Sequence, residues 1–118
     1  MNKLRDIQKM REHKFNLAEN MIKAHIKQYG EYKNNNDFIE KILKDTQKLK
    51  EKEIMIKELI ENIQDPIIQA IIKERFINGA KWQSVAVTVG YSLIHTQKLF
   101  KKALQNQEIS KIKMLLDN

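Results

Sequence analysis

Polar and basic side chains gather in one short run of this chain: Ser92, His95, Gln97, Lys98, Lys101 and Lys102, with Lys81 upstream. No acidic residue occurs between Glu74 and Glu108, whereas Arg75, Lys81, Lys98, Lys101 and Lys102 all fall there. In a chain whose charged residues make up 31% of the whole, so long an acid-free window is the footprint of a surface that faces phosphate. The chemistry on offer is recognition rather than reaction. Ammonium groups neutralise phosphates whatever the base sequence, and the Gln97 amide has the donor and acceptor to pair with two atoms of an adenine edge. Leu93 and Ile94, in the same run, are apolar and suit a thymine methyl, the domain interior or another protein.

Other chemistry is scarce. The absence of cysteine excludes disulfides, thiol catalysis and cysteine-based zinc sites. His13, His25 and His95 are the only histidines, and their spacing matches no metal-binding pattern. No nucleophile–base pair, glycine-rich phosphate loop or paired-carboxylate signature stands out, so no catalytic residue, metal or cofactor is expected. Lys48, Lys50 and Lys52 alternate with Glu51 and Glu53 and read as a solvated helix face rather than a second binding surface.

The elements that position the basic run are helices. One Pro and three Gly are too few for the many turns of a β-sandwich or barrel. From Lys3 to Tyr29, Leu4, Ile7, Met10, Phe15, Leu17, Ala18, Met21, Ile22, Ile26 and Tyr29 recur mostly three or four apart, which predicts a helix closed by Gly30. The asparagine run to Asn36 predicts a loop, and Asp37 with Glu40 a capping box. From Phe38 to Ile63 a seam of Ile39, Ile42, Thr46, Leu49, Glu53, Ile56, Ile60 and Ile63 has coiled-coil spacing, interrupted by Thr46 and Glu53. Such a helix, about 40 Å long at 1.5 Å per residue, needs a partner. Either the first helix folding back or a second copy of the chain can supply it.

Asp65-Pro66 ends that helix and starts the next, with Asp as N-cap and Pro at the first helical position. A helix to about Ile77 then stops at Asn78-Gly79. A second covers Lys81 to Val89, Gly90 makes a tight turn, and a third follows the N-cap Ser92. Trp82, Val85, Ala86 and Val89 are expected inside, as are Leu99 and Ala103 with Leu104 or Thr96. The opposite face of the third helix then presents His95, Gln97, Lys98, Lys101 and Lys102. The tail from Glu108 places Ile109, Ile112, Leu115 and Leu116 at helical spacing, to cover the domain or join a dimer contact.

The segment Trp82, Gln83, Ser84, Val85, Ala86, Val87, Thr88, Val89, Gly90, Tyr91, Ser92, closing with Leu99, Phe100, Lys101, Lys102, Ala103, Leu104, resembles the helix-turn-helix of bacterial sigma factor region four. The run from Arg75 to Trp82 with Gly90, Tyr91 and Ser92 is similar to small phage-encoded regulators of the ArpU/RinA type, with Phe76 where a Tyr is usual. The match covers about thirty residues well. It departs at Leu93 and Ile94, where the sigma pattern has charged or polar residues, and the chain has no room for a promoter-melting region. What the resemblance implies is transcription control of late or packaging genes in a phage or prophage.

The expected fold is therefore all-α. A helical hairpin or coiled coil over residues 1–64, serving oligomerisation, precedes a helix-turn-helix domain over residues 65–118. The expected partners are double-stranded DNA, read by Lys81, Ser92, Leu93, Ile94, His95, Gln97, Lys98, Lys101 and Lys102, and a second copy of the chain. Two other readings keep the same fold: a module docking on RNA polymerase or a repressor, and a DNA-packaging protein like a small terminase subunit. With no run of 18 apolar residues, no membrane association is expected, and the absence of cysteine fits the cytoplasm of a bacterial host.

Overall fold

The computed structural model describes residues 4–31 and 37–117, and among these every regular element is a helix. The order is α1 (Leu4–Tyr29), α2 (Asp37–Glu61), α3 (Pro66–Ile72) continued by a π-helical turn (Lys73–Ile77), α4 (Trp82–Val89), α5 (Leu93–Ala103) and α6 (Gln107–Asp117). Most of the expected asparagine loop lies outside the described residues. The helix begins at Asp37 itself, which with Glu40 places two carboxylates in the first turn, where the helix dipole favours them.

Residues group into two compact units, Ile7–Glu53 and a second comprising Ile54–Asn118 with the start of α1. The helix break stands at Asp65-Pro66, but the units divide inside α2. Its last turns belong with the C-terminal helices: the Gln69 side-chain amide donates to the Ile60 carbonyl at 3.0 Å, and Lys73 pairs with Glu61 at 3.1 Å.

In the first unit α1 folds back antiparallel on α2. Ala18, Ile39 and Ile42 are buried together, with Met21, Ile22 and Leu43 packed around them. Along the expected seam of α2, Ile39, Ile42 and Glu53 are buried and Thr46 and Leu49 half-buried in this unit, while Ile56 and Ile60, buried, and Ile63, half-buried, belong to the second unit. Its two polar interruptions are satisfied locally. The Thr46 hydroxyl donates to the Ile42 carbonyl at 2.9 Å. Glu53, 7% exposed, accepts from the Gln8 amide at 2.9 Å and from Arg11 Nε at 3.0 Å. One turn along, Lys14 pairs with Asp45 at 3.4 Å. The α1 periodicity is narrower than its full apolar list, because Met10, Phe15, Leu17 and Ile26 lie exposed on the flanks and Tyr29 is exposed at the end of the helix.

A buried carboxylate that loses its cation costs more than the pair gained. Arg11→Ala is therefore expected to destabilise the hairpin by about 1–3 kcal/mol. Replacing Arg11 and Glu53 together by Leu should be near neutral. Thermal unfolding followed by circular dichroism distinguishes the two variants.

Candidate nucleic-acid interface

The second unit is built around α3, which packs on both α4 and α5, while α4 packs on α5. Asp65 caps α3, its Oδ1 accepting from the backbone N–H of Ile67 at 2.9 Å and of Ile68 at 3.3 Å. Ile71, Ile72 and Phe76 line the inner side. The last turn widens to π geometry, with the Asn78 N–H reaching back to the Lys73 carbonyl and the Ala80 N–H to that of Glu74. That turn places Arg75 so that its Nη1 donates to the Ala80 carbonyl at 3.0 Å and its guanidinium lies 5.1 Å from the Trp82 ring centre. Arg75 is thus engaged in holding the approach to α4, whereas Lys81, Lys98, Lys101 and Lys102 of the same window are exposed.

Gly90 ends α4 in the left-handed conformation, φ +78°. The Gly90 N–H bonds to the Val87 carbonyl and the Tyr91 N–H to that of Ala86, the paired bonds of a Schellman motif. A Cβ on Gly90 would meet no atom within 4 Å, so backbone conformation alone favours glycine here. Ser92, extended at ψ 158°, then caps α5, its Oγ accepting from the His95 N–H at 3.1 Å. These two devices set the angle at which α5 leaves α4. Both were legible in the residue types.

The inner side of α5 is Thr96 and Phe100, both buried, with Leu93, Leu99, Ala103 and Leu104 half-buried. Thr96 donates its hydroxyl to the Ser92 carbonyl at 2.8 Å. Phe100 was not expected inside, yet it is the centre of the unit. Its ring lies 5.7 Å from Phe76 and 5.1 Å from Trp82, joining the end of α3, the start of α4 and the middle of α5. The spacing 96–100–103 carries that signal, in competition with the adjacent apolar Leu99. Trp82 is half-buried, held between Phe100 and Arg75.

At about 100° per residue, the face opposite Thr96 and Phe100 is centred on Ile94, Lys98, Lys101 and Gln105, all exposed. This brings Ile94, Lys98 and Lys101 into one outward stripe. His95 and Lys102 lie on one flank and the half-buried Gln97 on the other. The His95 ring meets Tyr91 edge-on at 4.8 Å. Lys102 also lines an open cleft of about 440 Å³ whose apolar walls include Ile63, Ile68, Leu99 and Ile109. Leu93 and Ile94 separate: Leu93 is half-buried, whereas Ile94 is 66% exposed. Lys81 is exposed in the extended residue before α4, and Ser92 is committed to its cap.

The tail forms α6, started by Asn106, whose Oδ1 accepts from the N–H groups of Glu108 at 2.9 Å and Ile109 at 3.3 Å. Ile109, Ile112 and Leu116 are buried, so α6 contributes to the core of this unit. Among the described residues no group of three or more His, Asp or Glu could hold a metal ion, and no helix is long and apolar enough to cross a membrane. No family model, curated protein or solved structure matches this chain.

Proposed function

We propose that this chain binds double-stranded DNA in a sequence-dependent way and regulates transcription, with α5 in the major groove and α4 crossing the backbone. One observation carries the reading: the outward stripe of α5 bears Lys98 and Lys101, flanked by Lys102, within a segment free of acidic residues from Arg75 to Gln107. A helix held by a glycine turn and a serine cap, its outer face basic, has the shape and charge that a major groove accepts. The resemblance of the segment Arg75 to Ser92 to phage regulators supports a role in phage or prophage gene control in a bacterial cytoplasm. RNA polymerase and a second copy of the chain are the partners this role implies. The exposed Met10, Phe15 and Leu17 on the flanks of α1 favour self-association.

Fluorescence anisotropy with a random-sequence duplex tests the reading. Lys101→Ala is expected to weaken binding to every sequence alike and to lower the slope of log K against log salt by about one. No duplex binding at low salt would remove it.

A second reading, docking on a protein, is favoured by the exposure of Val87 (81%) and Ile94 (66%). It requires a partner that is retained when Lys98 and Lys101 are neutralised and lost with Ile94→Asp.

A further inference from the structure

The first turn of α5 is the part of a recognition helix that lies deepest in the groove. Two hydroxyls of that turn are engaged: that of Ser92 accepts from the His95 N–H, and that of Thr96 is buried against the Ser92 carbonyl; the exposed His95 ring lies to one side, edge-on to Tyr91. At the centre of its outward face the turn presents Ile94, in line with Lys98 and Lys101. Lys98 and Lys101 stand about 6 Å and about 10 Å further along the helix axis, at 1.5 Å per residue, where long ammonium side chains reach phosphate. The stripe therefore changes from apolar to cationic along its length. With α5 in a major groove, its aliphatic end would meet base edges and its charged end the backbone.

A base edge in the major groove is a row of hydrogen-bond donors and acceptors, and its one apolar group is the C5-methyl of thymine. An isoleucine pressed on a donor or acceptor displaces water without replacing its hydrogen bond, which is unfavourable. Pressed on a methyl it buries apolar surface on both sides. On the DNA-binding reading above, on which this inference rests, we infer that Ile94 is a specificity-determining residue that selects a thymine through its C5-methyl group. Gln97, half-buried on the flank of α5, is not the central base contact.

The test uses the full chain. Duplexes bound at low salt are selected from a random pool, and each thymine of the selected site is replaced singly by uracil, which keeps the hydrogen-bonding edge and lacks the methyl. One replacement is expected to weaken binding roughly three- to tenfold, the worth of about one buried methyl contact. Ile94→Ala should bind the thymine duplex more weakly by a similar factor and no longer distinguish uracil from thymine at that position. Lys101→Ala should weaken both duplexes and keep the distinction. Because Ile94 is exposed, Ile94→Ala is expected to keep the wild-type circular dichroism spectrum.

Tolerance of uracil at every position, with tight duplex binding intact, would overturn this inference and leave the DNA-binding reading standing. So would a selection without sequence preference, or a uracil effect unchanged in Ile94→Ala. Absence of any duplex binding would remove both.

Discussion

Phe100→Ala is expected to destabilise the C-terminal unit by about 3–5 kcal/mol, the usual range for emptying an aromatic site in a core. The ring touches both Phe76 and Trp82 and is only 7% exposed, so its loss opens the junction of three helices at once. A small domain has roughly 0.05–0.15 kcal/mol of stability per residue, so a loss of this size removes most of what holds α3, α4 and α5 together. Trp82 is the only tryptophan in the chain and lies in the affected unit. Its fluorescence reports that unit, while far-ultraviolet circular dichroism reports all helices. The fluorescence midpoint in urea should fall sharply in the variant, and Phe100→Leu should recover part of the shift. An unchanged fluorescence midpoint would mean that the aromatic junction contributes little.

The second large effect lies on binding rather than stability. Lys98→Ala combined with Lys101→Ala is expected to weaken duplex binding on the order of tenfold or more at about 50 mM salt, and to reduce the salt slope by about two, since each phosphate contact accounts for roughly 0.9 of slope on duplex DNA. Both side chains are exposed and neither is engaged in an ion pair among those described, so the unfolding midpoint should move little, within about 0.5 kcal/mol. A double variant that binds as the parent does would place the DNA contacts elsewhere or deny them.

Much of the fold was legible because local rules agreed with one another. Asp65 and Ser92 act as the N-caps their types suggest, Pro66 opens α3, Gly90 takes the left-handed conformation, and of the residues expected inside α4 Val85 and Ala86 are buried while Trp82 and Val89 are half-buried. The α2 seam was legible residue by residue, including Glu53 at a seam position. What covers it was not, because an isolated heptad pattern does not say whose surface it meets. The complementary signal was nevertheless present: Leu4, Ile7, Arg11, Lys14 and Ala18 form one line on α1, and its two cations match Glu53 and Asp45. The α1 apolar list was too generous because a long helix carries apolar residues on its flanks as well as on its seam.

At the candidate interface, residue types pointed to the basic face of α5 but not to its rotation. Gln97 and Lys98 are neighbours, and a helix separates neighbours by about 100°. Whether Leu93 or Ile94 faced outward depended on which residues α3 and α4 claimed. Phe100, meeting Phe76 and Trp82, sets that rotation, and Ile94 follows outward. Arg75 illustrates the converse, since a charge counted with the lysines of the acid-free window is instead placed on Trp82 and the Ala80 carbonyl.

The most direct test of the central claim is equilibrium binding of the wild-type chain to a duplex of random sequence, measured as the salt concentration is raised. If α5 enters the groove with its lysines on the backbone, log K should fall linearly with log salt, with a slope between roughly −2 and −4 for the few phosphates that Lys81, Lys98, Lys101 and Lys102 can reach. No measurable binding at about 50 mM salt, or an affinity that does not change with salt, would contradict the account.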